Sequence, residues 1–307
     1  MGKGAVMKVD PRKNRLRRTM MFASTQRPNL IRDPYLFAPD SLIFDLEDAV
    51  AENQKDAARF SLYHAVQSLD YHGLEKLVRI NALDTPHWQE DVRVCVAAGV
   101  DGIRIAKCDT ADNVRTIDEA VTAAETEFGR EPGSTLLMAA LESPLAVLNA
   151  YEICKASPRM FGIALSGGDF RRCMHTTGAG GGVDMQTARG LMVLSARAAG
   201  LQCFDTVYTN LDDLEGFAKE TQLIKDMGFD GKSIVNPRQI KIVHDLFTPS
   251  RKEIEEAERV VIAIRENAEK GIGIFQLDGK MLDIAFMEGA ERTLALAKAS
   301  GVYKGDL

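Results

Sequence analysis

A closed (β/α)8 barrel of the TIM type, with a C-terminal helical and hairpin extension, is the fold this chain predicts, and three observations lead to it. Short apolar runs recur eight times along the sequence, each closing on a polar or charged residue. Amphipathic stretches with helical spacing separate them. Runs such as LIFDL, GIRIAK and IALSG do not alternate, which is the pattern of parallel strands covered on both faces. In a closed barrel the C-terminal ends of the strands converge on one mouth, where the loops build the site.

The expected strands are Met20–Ala23, Leu42–Leu46, Leu77–Asn81, Gly102–Lys107, Leu136–Glu142, Gly162–Ser166, Cys203–Tyr208 and Lys232–Asn236. After strand two, Gln54–Ser68 repeats Ala57, Ala58, Phe60, Leu62 and Val66 at helical spacing, giving a face that packs on the sheet. Thr110–Ala123, Pro144–Lys155, Thr187–Ala199 and Leu211–Met227 read as helices for the same reason. Ser143 and Pro144 suit the cap and first turn of the helix after strand five. The barrel is expected over residues 17–248, preceded by a flexible basic arm over 1–16, where Lys8, Arg12, Lys13 and Arg15 lead into Arg17 and Arg18. Residues 249–307 are expected to form an arm covering a barrel mouth, its own or a neighbour's. It would hold a charged helix (Ser250–Lys270), a hairpin turning at Asp278-Gly279 and a last helix from Ile284 to Ala299.

With 307 residues, 45% of them hydrophobic, one large α/β domain with an extension fits better than two separate domains. The net charge of −6 implies no general attraction to nucleic acid or to a membrane, so a small-molecule substrate is expected. Five scattered cysteines without a CxxC pair support neither a disulfide framework nor a zinc site. No apolar segment reaches the roughly 18 residues of a membrane span, and the basic N-terminus has no signal-peptide core. A soluble, cytoplasmic protein is the expectation.

The residues delivered to the mouth are Asp45, Glu47, Asp48, Arg79, Asn81, Lys107, Glu142, Asp169, Asp205 and Asn236. Glu142 and Asp169 closely follow neighbouring strands, and two such carboxylates suit one Mg²⁺, with its other positions left to water and substrate oxygens. The alternative is that each caps the helix that follows. Arg79, inside an otherwise apolar strand, needs an anion: either a substrate carboxylate held bidentately or an internal ion pair with Asp45, Glu47 or Asp48. Glu47 and Asp48 are read as groups around the metal rather than on it. Lys107 offers an imine or, preferably, an ion pair. The glycine-rich stretch 178–182 lacks the lysine and spacing of a phosphate loop and reads as a loop at the mouth.

These motifs resemble those of the citryl-thioester lyases, the β subunits of citrate lyase, within the larger malyl- and citramalyl-CoA lyase group. The resemblance runs from about Arg17 to Ala290 through FDLEDAV, KDAAR, VRINALDT, GREPGST, LESPL, FDTVY, GFDGKSIVNPRQI and GKMLD, in that order. It implies that Glu142 and Asp169 bind Mg²⁺ and that Glu142 and Arg79 contact substrate. It also implies that Lys232, Pro237 and Arg238 belong to a groove for the thioester carrier, and that Asp283 acts on a neighbouring subunit's site in a homo-oligomer. The implied reaction is metal-dependent retro-aldol cleavage of citryl-CoA or a citryl-acyl carrier protein to oxaloacetate and an acetyl thioester. Acyl carrier protein and transferase subunits are the implied partners. Related malyl-, citramalyl- or methylmalyl-CoA substrates, or a carrier-binding subunit without catalysis, are the alternatives. They are motivated by Phe22-Ala23-Ser24-Thr25 where the group reads FVPG, by Ser166-Gly167-Gly168-Asp169 where it reads GAED, and by Thr177 and Gly178 where it carries an acid and a base.

Overall fold

The computed structural model describes residues 10–178 and 182–307. Along the first part of the chain run β1 (Thr19–Ser24), α1 (Pro28–Ile31), β2 (Ser41–Asp45), α2 (Lys55–Ser68), β3 (Glu75–Ile80), α3 (Trp88–Ala98), β4 (Gly102–Ile105), α4 (Ala111–Glu127) and β5 (Leu136–Leu141). Then come α5 (Pro144–Leu148), α6 (Ala150–Lys155), β6 (Met160–Leu165), α7 (Gly167–Met174), α8 (Gln186–Ala198), β7 (Gln202–Asp205), α9 (Leu214–Asp226), β8 (Gly231–Ile234) and α10 (Arg238–Phe247). The eight strands pair in parallel in chain order, and β8 returns to β1 through Met20 and Ser233, closing the barrel.

Because side chains alternate along a strand, every second residue enters the barrel. Met20, Ile43, Leu77, Met138, Ala164 and Phe204 meet in one buried cluster although they come from six strands, which only the barrel interior allows. One step further along the same inward series stand Asp45 after Ile43 and Arg79 after Leu77, and two steps beyond Met138 stands Glu142. The apolar layer therefore carries a charged layer above it, at the C-terminal rim. At the opposite end Arg17 is buried, with its guanidinium 4.2 Å from the Phe161 ring centroid and 2.6 Å from Glu75. Gly231 is required where β8 meets the incoming chain, since a Cβ there would stand 2.0 Å from the Arg17 carbonyl oxygen.

For residues 10–16 of the expected basic arm, Arg12 donates to the Ser134 and Gly133 carbonyls, Lys13 to Pro158 and Arg15 to Gly73. Lys8 lies outside the described residues. The helix expected over Pro144–Lys155 is in fact two, α5 and α6, meeting at Asn149, whose side chain donates to the Asp109 carbonyl at 2.9 Å. Ser143 caps α5 as expected, accepting the Ala146 amide at 3.1 Å with Pro144 in the first turn.

The chain divides into two compact units, one ending at Val243 and one beginning at His244. Within the second, α11 (Arg251–Glu269) packs Ile254, Ala257 and Val261 against Ala290, Leu294 and Ala297 of α12 (Ala285–Ala299). A Ser250–Glu253 capping box starts α11. Between these helices β9 (Phe275–Leu277) and β10 (Lys280–Leu282) form an antiparallel hairpin. Its turn residues, Asp278 and Gly279, both have positive φ, at 50° and 80°, as a tight hairpin turn requires.

Candidate active site

Asp45 ends β2 with 2% of its surface exposed, and it holds Arg79 by two bonds, Nε to Oδ1 at 2.8 Å and Nη2 to Oδ2 at 2.6 Å. It also accepts the Glu47 and Ala49 amides. Burial pushes its pKa up, but Arg79 and these amides outweigh burial and hold the carboxyl below its ordinary value. The remaining Arg79 terminus, Nη1, stands 2.9 Å from Glu47 Oε2. Burial works against the Arg79 charge, yet the two acids raise its pKa above the usual arginine value. Of the two readings open for Arg79, the internal ion pair is present.

Glu47 is buried and also meets Lys107 Nζ at 2.8 Å, while the more exposed Asp48 is 3.8 Å from the same ammonium. Lys107 has a left-handed backbone, with φ at 48°. Burial lowers its pKa, but the bond to Glu47 prevails and the net shift is upward, which keeps it an ammonium rather than an imine-forming amine.

Glu142 follows β5 and is 2% exposed, and neither of its oxygens has a hydrogen bond of ordinary geometry among the described residues. Burial first, and the Glu47 charge second, push its pKa up to about 7; Arg79, Arg104 and the nearby Lys107 amide pull only weakly the other way. A buried carboxylate of this kind calls for a cation. Asp169 lies in the first turn of α7, beyond the neighbouring strand β6, and its Oδ1 takes Arg172 at 2.7 Å. Its side chain is 26% exposed, so this acid is open to solvent where Glu142 is not. Among the described residues no group of three or more His, Cys, Asp or Glu is poised to hold a metal. The candidate donor set is thus two carboxylates on neighbouring strand ends, with positions left for water or substrate oxygens, which suits a hard divalent cation.

A cavity of about 380 Å³ opens at this rim, lined among others by Phe22, Asp45, Asp48, Arg79, Arg104 and Asp169. A larger one, about 590 Å³, adjoins it through Gly167, Gly168, Thr206 and Val207 and extends past Tyr208 and Asn210. The larger cavity also carries charged side chains, among them Arg171 and Glu220, but the smaller one gathers the strand-end charges Asp45, Arg79 and Arg104 with Asp169 and is the candidate for the chemistry. A Cβ at Gly168 would meet nothing within 4 Å, so the missing acid of the SGGD sequence leaves open space. Gly178 and Gly182 border the larger cavity; residues 179–181 lie outside the described residues.

Several expected mouth residues are elsewhere. Asp205 is fully buried, bonded to Arg189 at 2.9 Å and to Lys232 at 2.6 Å, and Lys232 also meets Glu220 at 2.7 Å. Burial opposes the Asp205 charge, but Lys232 and Arg189 win and its pKa is lowered. The expectation that Lys232 lines a carrier groove is corrected accordingly: a fully buried ammonium committed to two acids offers nothing to a carrier. Pro237 is half-buried and Arg238 exposed, next to Asn236, whose side chain accepts the Arg238 amide. Asn81 is buried and bonded to Asp91 and to the Leu46 carbonyl, a structural role. Asp283 belongs to the second unit, where its carboxylate accepts the Ala285 amide at 2.8 Å.

The residue that sequence reasoning missed is Arg104, buried on β4 in register with Arg79. Its signal was available, since a cation inside the run GIRIAK carries the same implication that was drawn for Arg79.

Residues 18–237 match the family model described as HpcH/HpaI aldolase/citrate lyase, and residues 186–302 match that of a C-C bond lyase of the TIM-barrel fold. The chain is 48% identical to the citrate lyase subunit beta of Leuconostoc mesenteroides over 93% of its own length and 95% of that protein's. It is 32% identical to a (3S)-malyl-CoA thioesterase of Cereibacter sphaeroides, over 93% and 96%. Among solved structures it resembles the protein CitE of Mycobacterium tuberculosis, crystallised with magnesium, acetoacetate and coenzyme A. That match has 27% identity and a TM-score of 0.74, covering 92% of this chain and 98% of the other.

Proposed function

This chain belongs to the HpcH/HpaI aldolase/citrate lyase family, and on that premise we propose that it is a Mg²⁺-dependent carbon–carbon lyase cleaving a citryl thioester to oxaloacetate and an acetyl thioester. The observation that carries the reading is Glu142, a buried acid at the rim of the barrel whose oxygens have no hydrogen bond of ordinary geometry among the described residues, one strand from Asp169. These two residues would hold the ion. When bound, Mg²⁺ supplies a template and a Lewis acid for the hydroxyl and carboxylate of the fragment that becomes the α-keto acid.

The chain's own residues do the rest. Loss of the hydroxyl proton to a base lets the carbon–carbon bond break, its electron pair leaves with the thioester as an enolate, and protonation at carbon gives the acetyl thioester. Arg79, kept charged by Asp45 and Glu47, lines the cavity and supplies positive potential for that enolate. Lys107 balances Glu47 and Asp48, which would otherwise crowd like charges beside Glu142. Asp283 is assigned as the proton donor, contributed by the C-terminal arm of a second copy, so the enzyme acts as a homo-oligomer. We place it in the cytoplasm, where its free thiols, four of them buried, would stay reduced. Its carrier is CoA or a CoA-like group on an acyl carrier protein, in a complex with a transferase.

The space at Gly168 and the similarity to a malyl-CoA thioesterase support a second reading, a lyase for malyl- or citramalyl-CoA. Mixing the protein and Mg²⁺ with each thioester and identifying products by mass spectrometry tests both. Oxaloacetate and acetyl-CoA from citryl-CoA, at higher kcat/KM than any other cleavage, support the first; preferred release of glyoxylate or pyruvate supports the second.

A further inference from the structure

Five arginines are buried in the described chain: Arg17, Arg59, Arg104, Arg159 and Arg189. Four of them face a carboxylate, Arg17 with Glu75, Arg59 with Asp91, Arg159 with Glu125 and Arg189 with Asp205. Arg104 does not. It is 2% exposed, and among the described residues its Nη1 and Nη2 hydrogen-bond only to the hydroxyls of Ser233 at 3.1 Å and Ser166 at 3.0 Å, while its Nε makes no hydrogen bond. Asp45, Glu47 and Glu142 are close enough to favour its charge, but none lies within ion-pair distance among the described residues. Burial and the neighbouring Arg79 pull its pKa down to about 10.

A buried guanidinium whose hydrogen bonds go to two neutral hydroxyls, with no carboxylate in ion-pair contact among the described residues, is short of the compensation its desolvation demands. It also lines the smaller cavity, beside Ser166, Ser233 and Asp169. Arg79 and Arg104 flank the same ring, 5.0 and 5.2 Å from the Phe22 centroid, yet only Arg79 has its fork filled. The planar fork of Arg104 is matched to a carboxylate that arrives with the substrate.

We infer that Arg104 is the residue that selects the acyl group, by receiving the carboxylate of the carboxymethyl arm that a citryl thioester carries and a malyl or citramalyl thioester lacks. This rests on the lyase reading above, in which the other free carboxylate and the hydroxyl go to the metal. Once C–C cleavage has occurred, the carboxylate held by Arg104 becomes the second carboxylate of oxaloacetate. Ser166 and Ser233 orient the fork through their hydroxyls. Selection against the one-carboxylate substrates follows, because they would leave the buried cation without a counter-charge.

The test compares binding of oxaloacetate and of pyruvate, which differ by that one carboxylate, by calorimetry in Mg²⁺ with freshly dissolved ligand. The wild-type chain should bind oxaloacetate at least about 30-fold more tightly, the low end of the cost of truncating one member of a buried charged pair. In Arg104→Leu the preference should fall to within about threefold. Arg104→Gln, which can keep bonds to Ser166 and Ser233, should lose the preference too and serves if the leucine variant does not fold. A preference that survives either substitution, or none in the wild type, overturns the inference. Citryl-CoA cleavage by the wild type is measured in parallel: preference without cleavage removes the lyase reading and leaves a dicarboxylate site at Arg104. Cleavage with the preference intact in the variants removes Arg104 alone.

Discussion

Glu142→Gln should make the metal-free protein more stable at alkaline pH while removing its activity. In the folded chain the Glu142 carboxyl is pushed from 4.5 to about 7 by burial and by Glu47. Below pH 4.5 the group is protonated in both folded and unfolded chains, and the stability it contributes is fully present. Between 4.5 and 7 the unfolded chain ionises while the folded one keeps its proton, so stability falls as pH rises; above 7 the loss is complete. At 1.36 kcal/mol per pKa unit the full loss is roughly 3 kcal/mol, of which about 2.5 kcal/mol falls between pH 5 and pH 8. Glutamine has no such titration. The assay is urea unfolding of wild type and Glu142→Gln with a chelator present, followed by fluorescence of the single tryptophan, Trp88, at the start of α3. The stability difference in favour of the variant should grow by about 2.5 kcal/mol from pH 5 to pH 8, other titrating groups cancelling between the two proteins. A difference that stays flat across that range would show that Glu142 ionises normally, and the argument from an uncompensated acid would fail. Saturating Mg²⁺ at pH 8 should close the gap by stabilising the wild type alone.

Arg79→Lys should lower kcat by about 100-fold or more, since a point charge cannot span Asp45 and Glu47 and still present donors to the substrate; near-normal kinetics would confine Arg79 to an ion-pair role. Lys232→Met should destabilise the barrel by about 3–5 kcal/mol by leaving Asp205 and Glu220 short of a cation, and a denaturation midpoint equal to the wild type's would contradict that burial. Mixing Asp283→Ala with Arg79→Ala chains should restore part of the activity, because one hybrid site then holds both native residues. No recovery after verified subunit exchange would mean that Asp283 does not act across chains.

All eight strands were legible because a strand covered on both faces must be apolar throughout, and few other local patterns produce runs like LIFDL and IALSG. Their ends were less so: Asn81, Lys107, Glu142, Tyr208 and Asn236 fall just past the observed strands, where the ladder stops and the loops begin. Helix α7 went unread because it opens on Gly167 and Gly168, poor helix formers. That Glu142 and Asp169 lie beyond neighbouring strands was legible because strand order alone brings such strand ends together. Asp205 and Lys232 were misplaced for the opposite reason. Their commitment depends on Arg189 of α8 and Glu220 of α9, partners that no spacing along the chain reveals. Arg104 was hidden within a strand read from its apolar members.

The most direct test of the metal site is anomalous diffraction from crystals grown with Mn²⁺ in place of Mg²⁺ and with oxaloacetate. One peak should lie within about 2.2 Å of both a Glu142 oxygen and an Asp169 oxygen, and it should vanish in Glu142→Gln. A peak bound elsewhere, or one that survives that substitution at full height, would contradict a metal-dependent site at these two carboxylates.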